Sequence, residues 1–285
     1  MPPHRHNSEI LLLNGDAADI YGTDQGIWLI KRRTDPVRVL AHRGGRGPWR
    51  ENTSEAFAGA RDSRADGVEI DVRRCADGTL AVLHDPAIPG VGQVSDIGHS
   101  DLPLWVPTLE IALEACSGLI VDVEIKNNPW EPGYDEDQRV AAEVVDAIQR
   151  FATGTTPTNT AIFVSAFWHE TLSRVREAAF SRGVELPVAL LVAGGSNPPS
   201  GDAGHGDAGR GAADASELAS RLGFQGLNPH YRLVTPSLVR RAHDLGLSVW
   251  TWTVNEPETV LAVGEAGVDG IISDEVEVVR TTLAL

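Results

Sequence analysis

From Val37 onward the chain repeats one pattern: a short apolar run, then a stretch with helical periodicity. The apolar runs start at residues 37, 67, 119, 161, 188, 226, 248 and 268, which makes eight units. Among the expected elements are strands over Val37–Ala41, Leu119–Lys126 and Ser248–Val254, and helices over Ser54–Ala65, Asp137–Phe151 and Ala215–Leu222. Tight turns cannot join parallel strands, so strands that alternate with helices predict a parallel sheet. Eight such units fit a (β/α)8 TIM barrel, with a doubly wound open sheet as the alternative. The barrel is expected over residues 37–285, with a flexible low-complexity loop at 194–214. Residues 1–36 form a polar N-terminal extension of unknown role, with one candidate strand near Ile27–Ile30.

The second unit departs from the pattern. Residues 67–85 read as two strands around Asp77-Gly78, a strong hairpin signal, so a short β-hairpin extension follows strand two. A two-residue loop would pair Ala76 with Thr79 and, counting outward, Asp71 with His84. Glu69 and Asp71 are two apart and face the same way, opposite to Val68, Ile70 and Val72. Two carboxylates and an imidazole on one patch are costly to bury without a partner. They imply either a divalent cation, which oxygen ligands suit, or the solvated face of an ordinary hairpin.

Charge and composition restrict the function. A net charge of −16 over 285 residues excludes a nucleic-acid surface, which needs clustered Lys and Arg. It also disfavours stable attachment to anionic membrane. A small anionic substrate held by a local positive site remains compatible. Two cysteines do not make a disulfide scaffold. The longest apolar run near the start, Ile10–Leu13, is too short for a signal or membrane segment, so a cytoplasmic protein is expected. Only Lys31 and Lys126 are lysines, against 22 arginines (24 Lys+Arg less 2). A Lys retained in the apolar strand Leu119–Lys126 is unusual, because a compact ammonium does what a planar guanidinium cannot. It is expected at the rim; a Lys snorkelling from a strand end is the plainer reading.

Barrel chemistry sits at the C-terminal ends of the strands. There the expected elements place His42 and Arg43, Glu69 and Asp71 with His84 beside them, Glu124 and Lys126, and Trp252 and Asn255. The segments LAHRGG, ENTSEAF, GVEIDVRRCADGTLAVLHD, VPTLEIALE, VEIK, VWTWTVN and GVDGIISD occur in that order over residues 37–280. In this set the chain resembles the glycerophosphodiester phosphodiesterase family. The resemblance implies metal-dependent hydrolysis of a small-molecule glycerophosphodiester to glycerol 3-phosphate and an alcohol. It implies Glu69, Asp71 and Glu124 as ligands of one divalent cation, Mg2+ or Ca2+, and His42 and His84 as the acid/base pair. Arg43 and Lys126 would contact phosphate, and Glu51 and Trp252 would complete the substrate pocket. The nucleophile is either water or a neighbouring hydroxyl of the substrate.

The chain also differs from that family pattern. Arg50 stands where the family usually has Pro, Leu83 precedes His84 where a second His is common, and the 86–107 segment is short. The competing readings are a sphingomyelinase D-type phospholipase on lysophospholipid or sphingolipid substrates, and a non-catalytic barrel that binds phosphodiesters. Glu124 and the acidic balance speak against the first; two retained histidines speak against the second.

Overall fold

The computed structural model describes residues 36–154, 159–193 and 211–285. The elements run β1 (Arg38–His42), α1 (Ser54–Asp62), β2 (Gly67–Arg74), β3 (Leu80–Val82), β4 (Ala87–Ile88), β5 (Gly92–Gln93), α2 (Leu109–Ala115) and β6 (Ile120–Ile125). They continue α3 (Arg139–Ala152), β7 (Ala161–Ala166), α4 (His169–Arg182), β8 (Val188–Val192), α5 (Ala212–Arg221) and β9 (Gly226–Pro229). The last are α6 (Pro236–Asp244), β10 (Ser248–Thr251), α7 (Pro257–Ala266), β11 (Gly270–Ser273) and α8 (Val276–Leu283). Eight strands (β1, β2 and β6 to β11) pair in parallel, and β1 closes the ring against both β11 and β2. This is the (β/α)8 barrel expected from the alternation. The candidate strand at 27–30 lies outside the described residues, as does most of the 194–214 loop. Residues 212–214 of that loop belong to α5.

Strand alternation divides the side chains between two environments. One set faces the helices in a large core that includes Val39, Val68, Ile70, Val123, Val164 and Val249, with Phe57, Leu109, Leu113 and Val144 from the helices. The other set faces the barrel axis. Leu40, Phe163, Ala189, Trp250 and Ile272 fill the axis as a separate cluster, with the Trp250 and Phe163 rings 5.5 Å apart. The indole needs a neighbour without a side chain: a Cβ built on Gly270 would lie 2.0 Å from Trp250 Cε3. Trp250 is therefore the core member of the Trp250/Trp252 pair. The regular strand β10 ends at Thr251, short of the expected Val254, and Trp252 makes only an isolated bridge to His230.

The hairpin differs from expectation by one residue. Val72 pairs with Val82, Arg73 with Ala81 and Arg74 with Leu80, so the loop has three residues. The Cys75 N–H donates to the Thr79 carbonyl, and the Gly78 N–H closes the turn on the Cys75 carbonyl. Gly78 takes φ +89°, the left-handed position that follows a tight turn in three-residue hairpin loops. In this register the residue opposite Asp71 is Leu83, and His84 counts to Ile70. The direct Asp71–His84 pairing is therefore wrong: one added loop residue turns the whole return arm over. Leu83 is buried with Cys75, Ala81, Ile88, Val94 and Val106 in a small core of its own. That core sits under the 86–107 segment, where β4 and β5 form a two-stranded sheet.

The turn is held by Asp77, whose carboxylate accepts the backbone N–H groups of Thr79 and His99. Those two bonds hold its pKa down at about 2. An unfolded Asp titrates near 3.9. A carboxylate with a depressed folded pKa contributes stability that is complete above the unfolded value and is lost as pH falls through the folded one. The expected stability deficit of Asp77→Ala is thus constant from pH 7 down to about pH 5 and narrows between about pH 4 and 2. Urea titrations of both proteins across that range measure it. A deficit that does not change with pH would mean that the charge of Asp77 is irrelevant to the turn.

Candidate active site

The site is built on β2 and β6, whose inward residues alternate in register. Glu69 pairs with Asp122, and Asp71 pairs with Glu124. Glu69, Asp71 and Glu124 are all buried, and each offers an oxygen within 4.8 Å of the others'. Three buried carboxylates repel one another unless cations intervene. Lys126 supplies one: its Nζ lies 2.6 Å from Glu124 Oε1 and 3.0 Å from Asp71 Oδ1. The Arg43 Nε lies 3.0 Å from Asp71 Oδ2, which also accepts a 2.8 Å bond from Asn52 Nδ2. Burial alone would raise the Asp71 pKa, but Lys126 and Arg43 together hold it far below the usual carboxylate range. Both His42 and His84 are close enough to add to that effect. Glu69 goes the other way. Burial first, then the charges of Asp71 and Glu124, push its pKa well up. Its Oε1 has no hydrogen-bond partner among the described residues.

The loop after β1 brings in the other groups. His42 ends β1 and pairs in register with Glu69. Arg43 takes φ +53° and Gly44 φ +93°. A Cβ on Gly44 would lie 2.5 Å from Ala56 Cβ, so this tight passage requires glycine. Thr53 accepts the Ala56 N–H as the N-cap of α1. Just before it, Asn52 sits at φ +57°, a conformation Asn tolerates. Its amide bonds the Asp71 carboxylate, and its Oδ1 accepts the Asp71 backbone N–H at 3.3 Å. Glu51 is more than half exposed and accepts from Arg43 at 3.2 Å.

The His42 ring is fixed from the other end of the chain. Its Nδ1 lies 2.7 Å from Asp274 Oδ1. Asn255 in turn holds Asp274, donating to its Oδ2 at 2.7 Å and accepting its backbone N–H at 3.0 Å. Burial would raise the Asp274 pKa; the bond to His42 and the charge of His42 outweigh it and bring it below the usual value. A carboxylate only accepts hydrogen bonds, so the neutral imidazole carries its proton on Nδ1 and turns the bare Nε2 toward Glu69, 3.9 Å from Oε2. His84 has the same kind of partner, Asp85 Oδ1 at 3.0 Å from its Nδ1. The last expected site residue, Trp252, lines another part of the barrel mouth. Its Nε1 donates to the Asn228 carbonyl, and its ring meets Phe167 and His230 edge-on.

The family model of the glycerophosphoryl diester phosphodiesterase family matches residues 42–278. The chain belongs to that family. Among its relatives, the glycerophosphodiester phosphodiesterase of Caldanaerobacter subterraneus is 28% identical over 260 residues, covering 84% of this chain and 94% of the relative. That of Bacillus altitudinis is 26% identical over 262 residues, with coverages of 84% and 94%. The fold is also that of an Oleispira antarctica phosphodiesterase solved in complex with the product sn-glycerol-3-phosphate. That structure matches with TM-score 0.67 at 21% identity, covering 87% of this chain and 97% of the other.

The barrel mouth of this phosphodiesterase thus gathers His42, Arg43, Glu51, Glu69, Asp71, Glu124 and Lys126, with His84 brought in by the bend after β3. Two members were not singled out from sequence. Asp274 ends the GVDGIISD segment and shares inward parity with Gly270 and Ile272, a signal that was readable. Asn52 lies in a loop, where no periodicity assigns a direction. Asn255, open to a plain reading as a helix cap, holds Asp274 instead. Lys126 is corrected as well. It is not a rim cation but a buried one, and burial, which alone would lower its pKa, is outweighed by Asp71 and Glu124, which raise it. Removing one partner of a buried ion pair typically costs about 3–5 kcal/mol. Lys126→Met is therefore expected to lose stability of that order, about 3–5 kcal/mol, by urea denaturation in the presence of a chelator. A loss below about 1 kcal/mol would fit a solvated cation instead.

Proposed function

We propose that the protein is a divalent-metal-dependent phosphodiesterase that cleaves glycerophosphodiesters to glycerol 3-phosphate and an alcohol. The observation that carries this reading is the convergence of three buried carboxylates with an imidazole whose Nε2 is aimed at them. The donor set suits a hard cation: oxygen ligands only, with more buried negative charge than Lys126 and Arg43 neutralise. The unpartnered Glu69 Oε1 is the atom such an ion would satisfy. Glu69, Asp71 and Glu124 would hold Mg2+ or Ca2+, which would supply Lewis-acid stabilisation of the phosphoryl charge.

The remaining chemistry belongs to the chain. Arg43 and Lys126 offset the negative charge of the diester and its growth in the transition state. An ammonium has three donors; two go to Asp71 and Glu124, and the third is available to a phosphoryl oxygen. His42 and His84 divide the proton transfers, one taking the proton of the attacking hydroxyl and the other protonating the leaving alkoxide. The Asp274 carboxylate stabilises His42 when it is charged and keeps its ring from turning.

Two sets of variants test this function. Glu69→Gln should bind Mg2+ and Ca2+ at least tenfold more weakly by calorimetry while keeping its circular dichroism; unchanged binding would remove Glu69 from the ligand set. His42→Ala and His84→Ala should each lower kcat by roughly 10²–10⁴-fold. The variant that lacks the acid should regain rate on a diester with a 4-nitrophenyl leaving group, which needs no protonation. Full activity of both variants on glycerophosphocholine would rule out the pair.

A further inference from the structure

Arg50, in the loop after β1, has an aromatic partner on the opposite side of the site. The Arg50 guanidinium carbon lies 3.9 Å above the centre of the Trp105 ring. The two residues belong to the two segments that flank the site. Arg50 is in the β1–α1 loop, which carries Arg43, Glu51 and Asn52. Trp105 is in the 86–107 segment, which starts two residues after His84.

Strand pairing explains why these segments meet. A strand has two edges. One edge of β2 is taken by β6 from Gly67 to Val72. The other is taken by β1 up to Glu69 and by β3 from Val72 onward. The return arm therefore lies above β1, and the segment it feeds lies over the loop that β1 feeds. His84 comes to Asp71 along this path, not through the strand ladder. Among the described residues, no strand pairing joins the Arg43–Asn52 loop to the 86–107 segment.

Both faces of the stack have firm supports. On the loop side, the Trp49 indole donates to the Gly45 carbonyl at 3.0 Å and packs so closely that a Cβ on Gly59 would lie 2.1 Å from its ring. The Arg50 carbonyl accepts the Thr53 hydroxyl at 2.8 Å. On the segment side, Trp105 packs with Leu102 and Ile97 against the small core of Leu83, Val94 and Val106. That core includes the residue that precedes His84.

We propose that Arg50 and Trp105 are positioning residues: their stack fixes the spacing between the Arg43–Asn52 loop and His84, and so aligns the acid/base pair with the phosphate-binding cations. The proposal rests on the phosphodiesterase reading and acts through His84 and Arg43, not through substrate. It predicts a defect in kcat with KM little changed.

The test uses the full chain with glycerophosphocholine and saturating Mg2+ or Ca2+. Arg50→Ala and Trp105→Leu are each expected to lower kcat about 2–5-fold, the size an exposed cation–π contact can carry. Trp105→Phe, which keeps an aromatic face, should recover most of the loss. The double variant Arg50→Ala/Trp105→Leu should be no worse than Trp105→Leu alone, because one contact is lost once. Parental kcat in Arg50→Ala overturns the proposal. So do additive effects in the double variant, or a KM increase at constant kcat, which would put Arg50 on the substrate. An inactive parent chain would instead refute the phosphodiesterase reading itself.

Discussion

The site depends on one buried carboxylate. Asp71 is fully buried on an inward position of β2, where an unpaired charge is prohibitively costly. Its ionisation is secured by three groups from two other segments: Arg43 and Asn52 from the β1–α1 loop, and Lys126 from the end of β6. Each of these side chains is consequently fixed in direction by the same oxygen pair. Arg43 is a cation toward solvent-side ligands because its Nε is anchored inward. Asn52 holds a left-handed backbone because both ends of its amide are used on Asp71. The geometry around β2 is thus over-determined, and Glu69, two residues earlier, lacks an equivalent set of partners.

That contrast divides the work between two carboxylates of one strand. Asp71 is kept ionised by protein cations, and Glu69 is disfavoured as an anion by burial and by its acidic neighbours. Asp122, deeper along the axis on β6, is pushed up in pKa in the same direction as Glu69, again chiefly by burial. Acidic groups are therefore crowded along the axis beside Phe163 and Trp250, where Asp122 accepts a bond from Asn228 Nδ2 at 3.4 Å. Within that crowd, Glu69, Asp71 and Glu124 are the group that could hold a cation.

Much of this was legible in the sequence, because the barrel imposes strict periodicities. Eight apolar runs separated by helical patterns fix the fold class, and parity along each strand puts Glu69 with Asp71 and Glu124 with Lys126. The same parity would have found Asp274. What escaped has physical reasons. The hairpin register depends on whether the turn holds two or three residues, and Asp-Gly occurs in both kinds. Asn52 and Arg50 are in a loop, where direction comes from tertiary contacts alone. Lys126 reads as a strand end, yet its side chain is buried because its ammonium turns inward onto Asp71 and Glu124. The 86–107 segment shows no periodicity because its small core is assembled from single residues of short turns.

The bond between His42 and Asp274 joins residues 232 positions apart. In a chain made from its N-terminus, Glu69, Asp71 and Glu124 and both histidines emerge early, by the third barrel strand (β6), whereas the group that orients His42 arrives with the last strand and its neighbour Asn255. Ring closure of the barrel and orientation of the imidazole are accordingly one event. A nascent or truncated chain holds the components of the site without its aligned form, and hydrolytic competence becomes a report that synthesis and closure are complete.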